Sequence, residues 1–95
     1  MDAVPPIFPN DVIIAHKSSS QHRKQIEESS LCGCFHCLGT FIPSEITEWV
    51  DDDKDGIGQT AMCPKCGIDS VLGSKSNFPL NREFLRRMRH HWFGE

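Results

Sequence analysis

Tyrosine is absent from this 95-residue chain, and the other large aromatics, six Phe and two Trp, make up only 8% of it. A polypeptide this short buries about two-thirds of the surface that its unfolded form exposes. So thin an apolar inventory excludes a large self-sufficient core, and there is no room for a second domain. Long hydrophobic runs are lacking as well: the longest aliphatic stretch, Val12 to Ala15, falls far short of the roughly 20 residues of a membrane-crossing helix. The start has no basic n-region and is broken by Pro5, Pro6 and Pro9, which is not the form of a secretory signal. The expectation is a cytoplasmic protein without membrane contact. No internal repeat is visible, and G-x-S-x-G, Walker A and H-E-x-x-H patterns are all missing. Excess positive charge is missing too: the net charge of -3 argues against a broad surface that tracks phosphates.

What the chain does have is cysteine. There are five, an odd number that suits metal binding in a reducing compartment better than complete disulfide pairing. Cys34-Phe35-His36-Cys37 and Cys63-Pro64-Lys65-Cys66 are two C-x-x-C pairs separated by 25 residues. A two-residue spacer lets one tight turn aim two sulfurs at one ion, and two such turns complete a tetrahedral cage that suits zinc. Gly67 supplies the left-handed conformation such a turn demands, with Gly39 as its looser counterpart after the first pair. Cys34, Cys37, Cys63 and Cys66 are therefore the expected ligands of one structural zinc ion, an iron centre with the same ligands being the lesser alternative. Four thiolates and one dication would take the net charge from -3 to about -5. Cys32, two residues before the first pair, is expected as a small buried side chain or as a reactive thiol near the metal.

The stretches around the cysteines carry weaker signals. Residues 1–15 read as a proline-rich arm packing Ile7, Phe8, Val12, Ile13 and Ile14 onto the domain. Ser18-Ser19-Ser20-Gln21 has capping-box form, and a short helix with Ile26 as anchor is expected from Ser19 to Glu28. Thr40-Phe41-Ile42 reads as a strand stopped by Pro43. Ser44 as N-cap and Ile46, Trp49 and Val50 at helical spacing then predict one or two helical turns, ended by Asp51–Gly56. Ile68 to Leu72 reads as a strand. Asn81 is the expected N-cap of a last helix, with Leu80 stapling to Leu85 and with Phe84, Leu85, Met88 and Trp92 forming its apolar stripe. The sum is a single α+β domain over residues 1–95. It comprises an N-terminal arm and helix (1–30), a small zinc-ribbon-like core with two C-x-x-C knuckles and short strands (31–73), and a C-terminal amphipathic helix (78–93).

Cys32-Gly33-Cys34-Phe35-His36-Cys37, then Pro43-Ser44-Glu45-Ile46, Trp49 and Thr60-Ala61-Met62-Cys63-Pro64-Lys65-Cys66-Gly67-Ile68-Asp69-Ser70-Val71, resembles a group of small bacterial cytoplasmic proteins with a zinc-ribbon-like centre. The resemblance extends back to His16, Ser19, Ser20 and His22 and forward to Phe84, Leu85, Met88, Trp92 and Phe93. It implies a zinc-ribbon-like fold and no particular activity. His36 and Lys65 stand where the group's pattern has aromatic residues inside the turns, and the aspartate run is longer.

Three further constellations bear on function. Asp51-x-Asp53-x-Asp55-Gly56 matches the first half of a calcium loop, but position twelve is Met62 instead of Glu. A solvated acidic turn is expected there, with weak Ca2+ or Mg2+ binding as the minor reading. His16, His22 and Cys32 are candidate accessory or reactive groups, and with a second ion they would make a small hydrolase or nuclease. Arg82, Arg86, Arg87 and Arg89 give residues 82–95 a charge of about +2, against about -5 for residues 45–55. Such a face can dock an acidic partner or a nucleic-acid backbone. The favoured expectation is a non-catalytic, zinc-stabilised module that binds another macromolecule, a protein ahead of a nucleic acid. The metal-dependent enzyme is the alternative, and a phage- or defence-related inhibitor is the third.

Overall fold

The computed structural model of the protein describes residues 10–94. Its architecture is α+β. Strands β1 (Cys32–Cys34), β2 (Thr40–Phe41) and β5 (Val71–Gly73) form an antiparallel sheet in the order β2-β1-β5, while β3 (Trp49–Asp52) and β4 (Gly58–Ala61) form a separate hairpin. Helices α1 (Asp11–His16), α2 (Arg23–Glu28) and α3 (Arg82–Phe93) flank them.

Alternation along the central strands divides the interior in two, because successive side chains of a strand point to opposite faces. Cys32, Cys34 and Val71 face one side, where they pack with Ile26 of α2, Phe41, Ile46, Ala61 and Cys63. Leu72 and Phe35 face the other, where they meet Val12 and Ala15 of α1 and Phe84, Leu85 and Met88 of α3. Gly33 lies between Cys32 and Cys34 and pairs with Leu72. A methyl group at Gly33 would sit 3.2 Å from Leu85 Cδ1, so a larger residue there would press on the Leu85 side chain and require it to shift by a few tenths of an ångström.

Helix α3 has the signals expected of it. The Asn81 Oδ1 accepts from the Phe84 N–H at 2.8 Å, Leu80 and Leu85 both flank Gly33, and Gly94 closes the helix in a left-handed conformation. Phe84, Leu85 and Met88 are buried. Trp92 departs from the stripe: it is 38% exposed, stacks on His16 at 3.9 Å between ring centroids, and donates its indole N–H to the Val12 carbonyl.

Four expectations for the elements are corrected. The stretch from Asp11 to His16 is helical rather than an extended arm, with Val12 inside and Ile13 and Ile14 about half exposed; Ile7 and Phe8 lie outside the described residues. The helix expected from Ser19 to Glu28 begins only at Arg23. Gln21 adopts a left-handed φ of 51° and gives its N–H to Thr60 Oγ1, so contact with β4 overrides the local capping box. The helix expected after Ser44 is a single 3-10 turn, Pro43–Glu45, in which the Glu45 carboxylate accepts the Ile42 N–H. Trp49 and Val50 instead enter β3 and pair with Ala61 and Thr60. A short apolar run fits either period, and pairing across the hairpin decides the outcome. Finally, residues 68–70 are not strand; they extend the second knuckle toward β5, with the Ile68 carbonyl accepting from Cys63 N–H and the Ser70 carbonyl from Phe35 N–H.

Candidate metal centre

Each C-x-x-C pair forms a turn of the same construction. In the first, the Cys34 sulfur accepts from the His36 N–H at 3.3 Å, the Leu38 N–H donates to the Cys34 carbonyl, and the Cys34 N–H donates to the Gly39 carbonyl. In the second, the Cys63 sulfur accepts from the Lys65 N–H at 3.3 Å, the Gly67 N–H donates to the Cys63 carbonyl, and the Cys63 N–H donates to the Ile68 carbonyl. The residue after the second cysteine is left-handed in both, φ 65° at Leu38 and 78° at Gly67. Leu38, not Gly39, is thus the counterpart of Gly67, which corrects the sequence reading.

The first turn joins β1 to β2 and the second joins β4 to β5, so the strand pairing of Cys34 with Val71 brings the two turns together. The Sγ atoms of Cys34, Cys37, Cys63 and Cys66 all lie within 4.8 Å of one another. Cys34 and Cys66 are 3.6 Å apart, and Cys37 and Cys63 are 3.7 Å apart. Four sulfurs bound tetrahedrally at about 2.3 Å from an ion would be separated by ~3.8 Å, so the set fits one metal ion with little adjustment. Among the described residues this is the one group whose donor atoms gather closely enough to hold an ion.

Electrostatics points the same way. Burial pushes the Cys34 thiol pKa up, partly offset by the Ser70 hydroxyl and the amides of Cys37 and His36. Burial likewise raises Cys66, reinforced by the negative charge of neighbouring Cys34. At Cys63 burial opposes ionisation, but the Lys65 and Cys66 amides outweigh it and the thiol pKa falls. Four sulfurs packed this closely cannot all carry charge without a cation among them.

Ser70 was not legible as part of the site. Its hydroxyl lies 3.0 Å from the Cys34 sulfur and is buried; once Cys34 is a thiolate, the hydroxyl is the donor. Cys32 stands apart from the four sulfurs. It is fully buried in the sheet core, and burial alone pushes its thiol pKa up to about 11, as for an inert packing residue.

His16, His22 and Cys32 do not assemble with one another into a group of metal donors. His22 is buried: its Nδ1 meets the Ser18 carbonyl at 2.6 Å and its Nε2 accepts from the Ala61 N–H at 3.1 Å. Both ring nitrogens are committed to the backbone, leaving none for an ion. His16 stacks on Trp92. The aspartates do not converge either. Asp51 accepts from the Thr60 hydroxyl, and Asp53 accepts the amides of Asp55 and Ile57 and the Gln59 side chain. These bonds shape the β3–β4 hairpin turn. Arg82, Arg86, Arg87 and Arg89 line one open depression of about 980 Å³, with Val12 and Leu38 at its apolar side. No described helix is long and apolar enough to cross a membrane.

No protein-family model matches the chain, and no curated protein or solved structure matches it. The chemistry of the four sulfurs therefore carries the functional reading.

Proposed function

We propose that Cys34, Cys37, Cys63 and Cys66 hold one structural zinc ion, and that the domain it stabilises is a non-catalytic module that docks another macromolecule, a protein ahead of a nucleic acid. The observation that carries this reading is the sulfur cluster itself, with amide donors arranged alike in both turns. Four protein sulfurs fill a tetrahedral ion's coordination and leave no position for a reacting water. Structural zinc contributes on the order of 10–16 kcal/mol of apparent binding free energy in small peptides, comparable with the whole stability of a typical domain, about 5–15 kcal/mol. A thin core divided across two faces of a three-stranded sheet needs such a contribution. The likeness to small bacterial zinc-ribbon-like proteins belongs to the same proposal.

For docking, α3 is the favoured surface: its arginines open onto one depression, and the acidic balance elsewhere disfavours a long polyanion. Elemental analysis of the purified protein tests the metal, with one zinc per chain and no colour expected. Affinity capture with the holo protein and with Arg86→Glu/Arg87→Glu tests the surface, the double variant being expected to lose the wild-type partner. A metal-free chain that melts cooperatively in excess chelator would sink the zinc reading, and turnover of a substrate by the pure protein would sink the non-catalytic one.

A further inference from the structure

We infer that a cavity of about 230 Å³ between α1, the first knuckle and the end of α3 is a binding site for an alkylammonium group. Its walls are aromatic. Phe35 and Phe93 stand 5.8 Å apart between ring centroids, His16 and Phe35 6.2 Å apart, and the stacked His16–Trp92 pair closes the third side. Trp92 and Phe93 are each 38% exposed, so the cavity opens to solvent across an aromatic lip.

Most of the hydrogen-bond donors around this space are already spent. The Trp92 indole N–H goes to the Val12 carbonyl and the Ser19 hydroxyl to the His16 carbonyl, while the Ser70 hydroxyl lies 3.0 Å from the Cys34 sulfur, to which it donates when Cys34 is a thiolate. The His16 ring and the Ser20 hydroxyl are the lining donors without a hydrogen bond among the described residues, so an anion would have two neutral donors to set against a facing carboxylate. The charged group at the cavity is the carboxylate of Asp69, which is exposed; no hydrogen bond or ion pair of its side chain occurs among the described residues. Phe35 is buried at 2% exposure and forms the floor, so the ring surface open to a ligand is that of the exposed His16, Trp92 and Phe93. With one uncommitted carboxylate beside it, this lip is complementary to a cation with apolar substituents, since the ring quadrupole attracts positive charge and the apolar surface takes up methyl and methylene groups. The volume accommodates the end of a lysine side chain or a methylated amine, not a folded segment. The chain's net charge of -3 adds a weak long-range bias of the same sign. This inference stands on the cavity and does not depend on the docking role of α3.

The test uses the full chain as purified, labelled with 15N and followed by its amide and indole resonances. Three probes are titrated: an Nε-trimethyllysine amide, its neutral isostere with carbon in place of the quaternary nitrogen, and spermidine. Trimethyllysine should move the Trp92 indole and the Asp69 and Phe93 amides saturably, and the isostere should bind about fivefold or more weakly. Asp69→Asn, a change at an exposed side chain, should weaken the trimethyllysine by a similar factor while the rest of the spectrum stays in place. Displacement of trimethyllysine by spermidine would point to free amines as the source of the group, and failure to displace it would point to a lysine side chain of a partner. Equal affinity for the neutral isostere, unchanged affinity in Asp69→Asn, or the absence of saturable shifts at these residues in the millimolar range would overturn the inference.

Discussion

The hydroxyl of Ser70 lies 3.0 Å from the sulfur of Cys34, with both side chains buried. Two backbone amides of the knuckle, those of His36 and Cys37, point at the same sulfur. Cys34 is thus the cysteine whose charge is dispersed by a side chain as well as by its own turn. Outer partners of this kind tune a ligand's basicity and orientation, and their loss typically costs 10–100-fold in metal affinity. Ser70→Ala should accordingly weaken zinc binding by about tenfold in competition with a chromogenic chelator, at unchanged stoichiometry of one ion. An unchanged affinity would show that the amides alone suffice.

Leu38 and Gly67 occupy the same left-handed position in the two turns, which gives a matched pair of backbone tests. A methyl group at Gly67 would meet no atom within 4 Å, so Gly67→Ala carries only the conformational cost, about 1 kcal/mol. Leu38→Gly should relieve a similar strain but lose the packing of a half-buried side chain against the α1–α3 core, leaving a small net change. Chemical denaturation of the metal-loaded variants distinguishes them. A neutral Gly67→Ala would mean that the turn relaxes without consequence.

The ease with which each part of the molecule could be read follows from how local its cause is. The C-x-x-C pairs and the Asn81 cap depend on residues within four positions of one another, and their geometry follows the spacing. The 3-10 turn at Pro43–Glu45 and the start of α2 depend on partners far along the chain: Trp49 pairs with Ala61, and Gln21 reaches Thr60. Local helical spacing in these stretches was real but lost to pairing with β4. Ser70 and Leu38 entered the site for a similar reason. No spacing rule marks a serine seven residues after a cysteine, and a leucine in a left-handed turn violates the preference that drew attention to Gly39.

His22 provides a test by pH. Its imidazole is held neutral by burial, which lowers its pKa below the usual 6.5 despite an opposing contribution from the Ser18 carbonyl. Above that value both folded and unfolded chains carry the neutral ring, and its contribution is fully present. As pH falls below 6.5 the unfolded chain takes up a proton that the folded one resists, and stability declines until the folded pKa is passed. His22→Gln breaks the bridge from Ser18 to Ala61 and should cost about 1–3 kcal/mol near pH 7.5. Near pH 5.5 the difference from wild type should shrink, because the variant has no imidazole to protonate. Urea titrations at the two pH values measure both numbers; a constant difference would mean that His22 titrates equally in the two states.

Cys32 and Cys34 stand two residues apart on β1, point to the same face and are both buried, yet they should behave oppositely when altered. Cys34 belongs to the group of four sulfurs and Cys32 does not. Cys32→Ala removes one buried sulfur from an apolar core and should cost roughly 1–2 kcal/mol through the small cavity left behind, while one zinc per chain is retained. Cys34→Ala deletes a corner of the group of four sulfurs and a sulfur that two amides and a hydroxyl approach, and with it most of the stabilisation that the proposed ion would supply. It should purify with little zinc and fail to give a cooperative melt. The register makes this comparison strict: Cys32 pairs with Gly73 and Cys34 with Val71, and a slip that exchanged the two cysteines would move the second core with them. Metal content and thermal melting of the two alanine variants decide it. Loss of zinc from Cys32→Ala with retention in Cys34→Ala would transfer the ligand role to Cys32 and break the equivalence of the two turns.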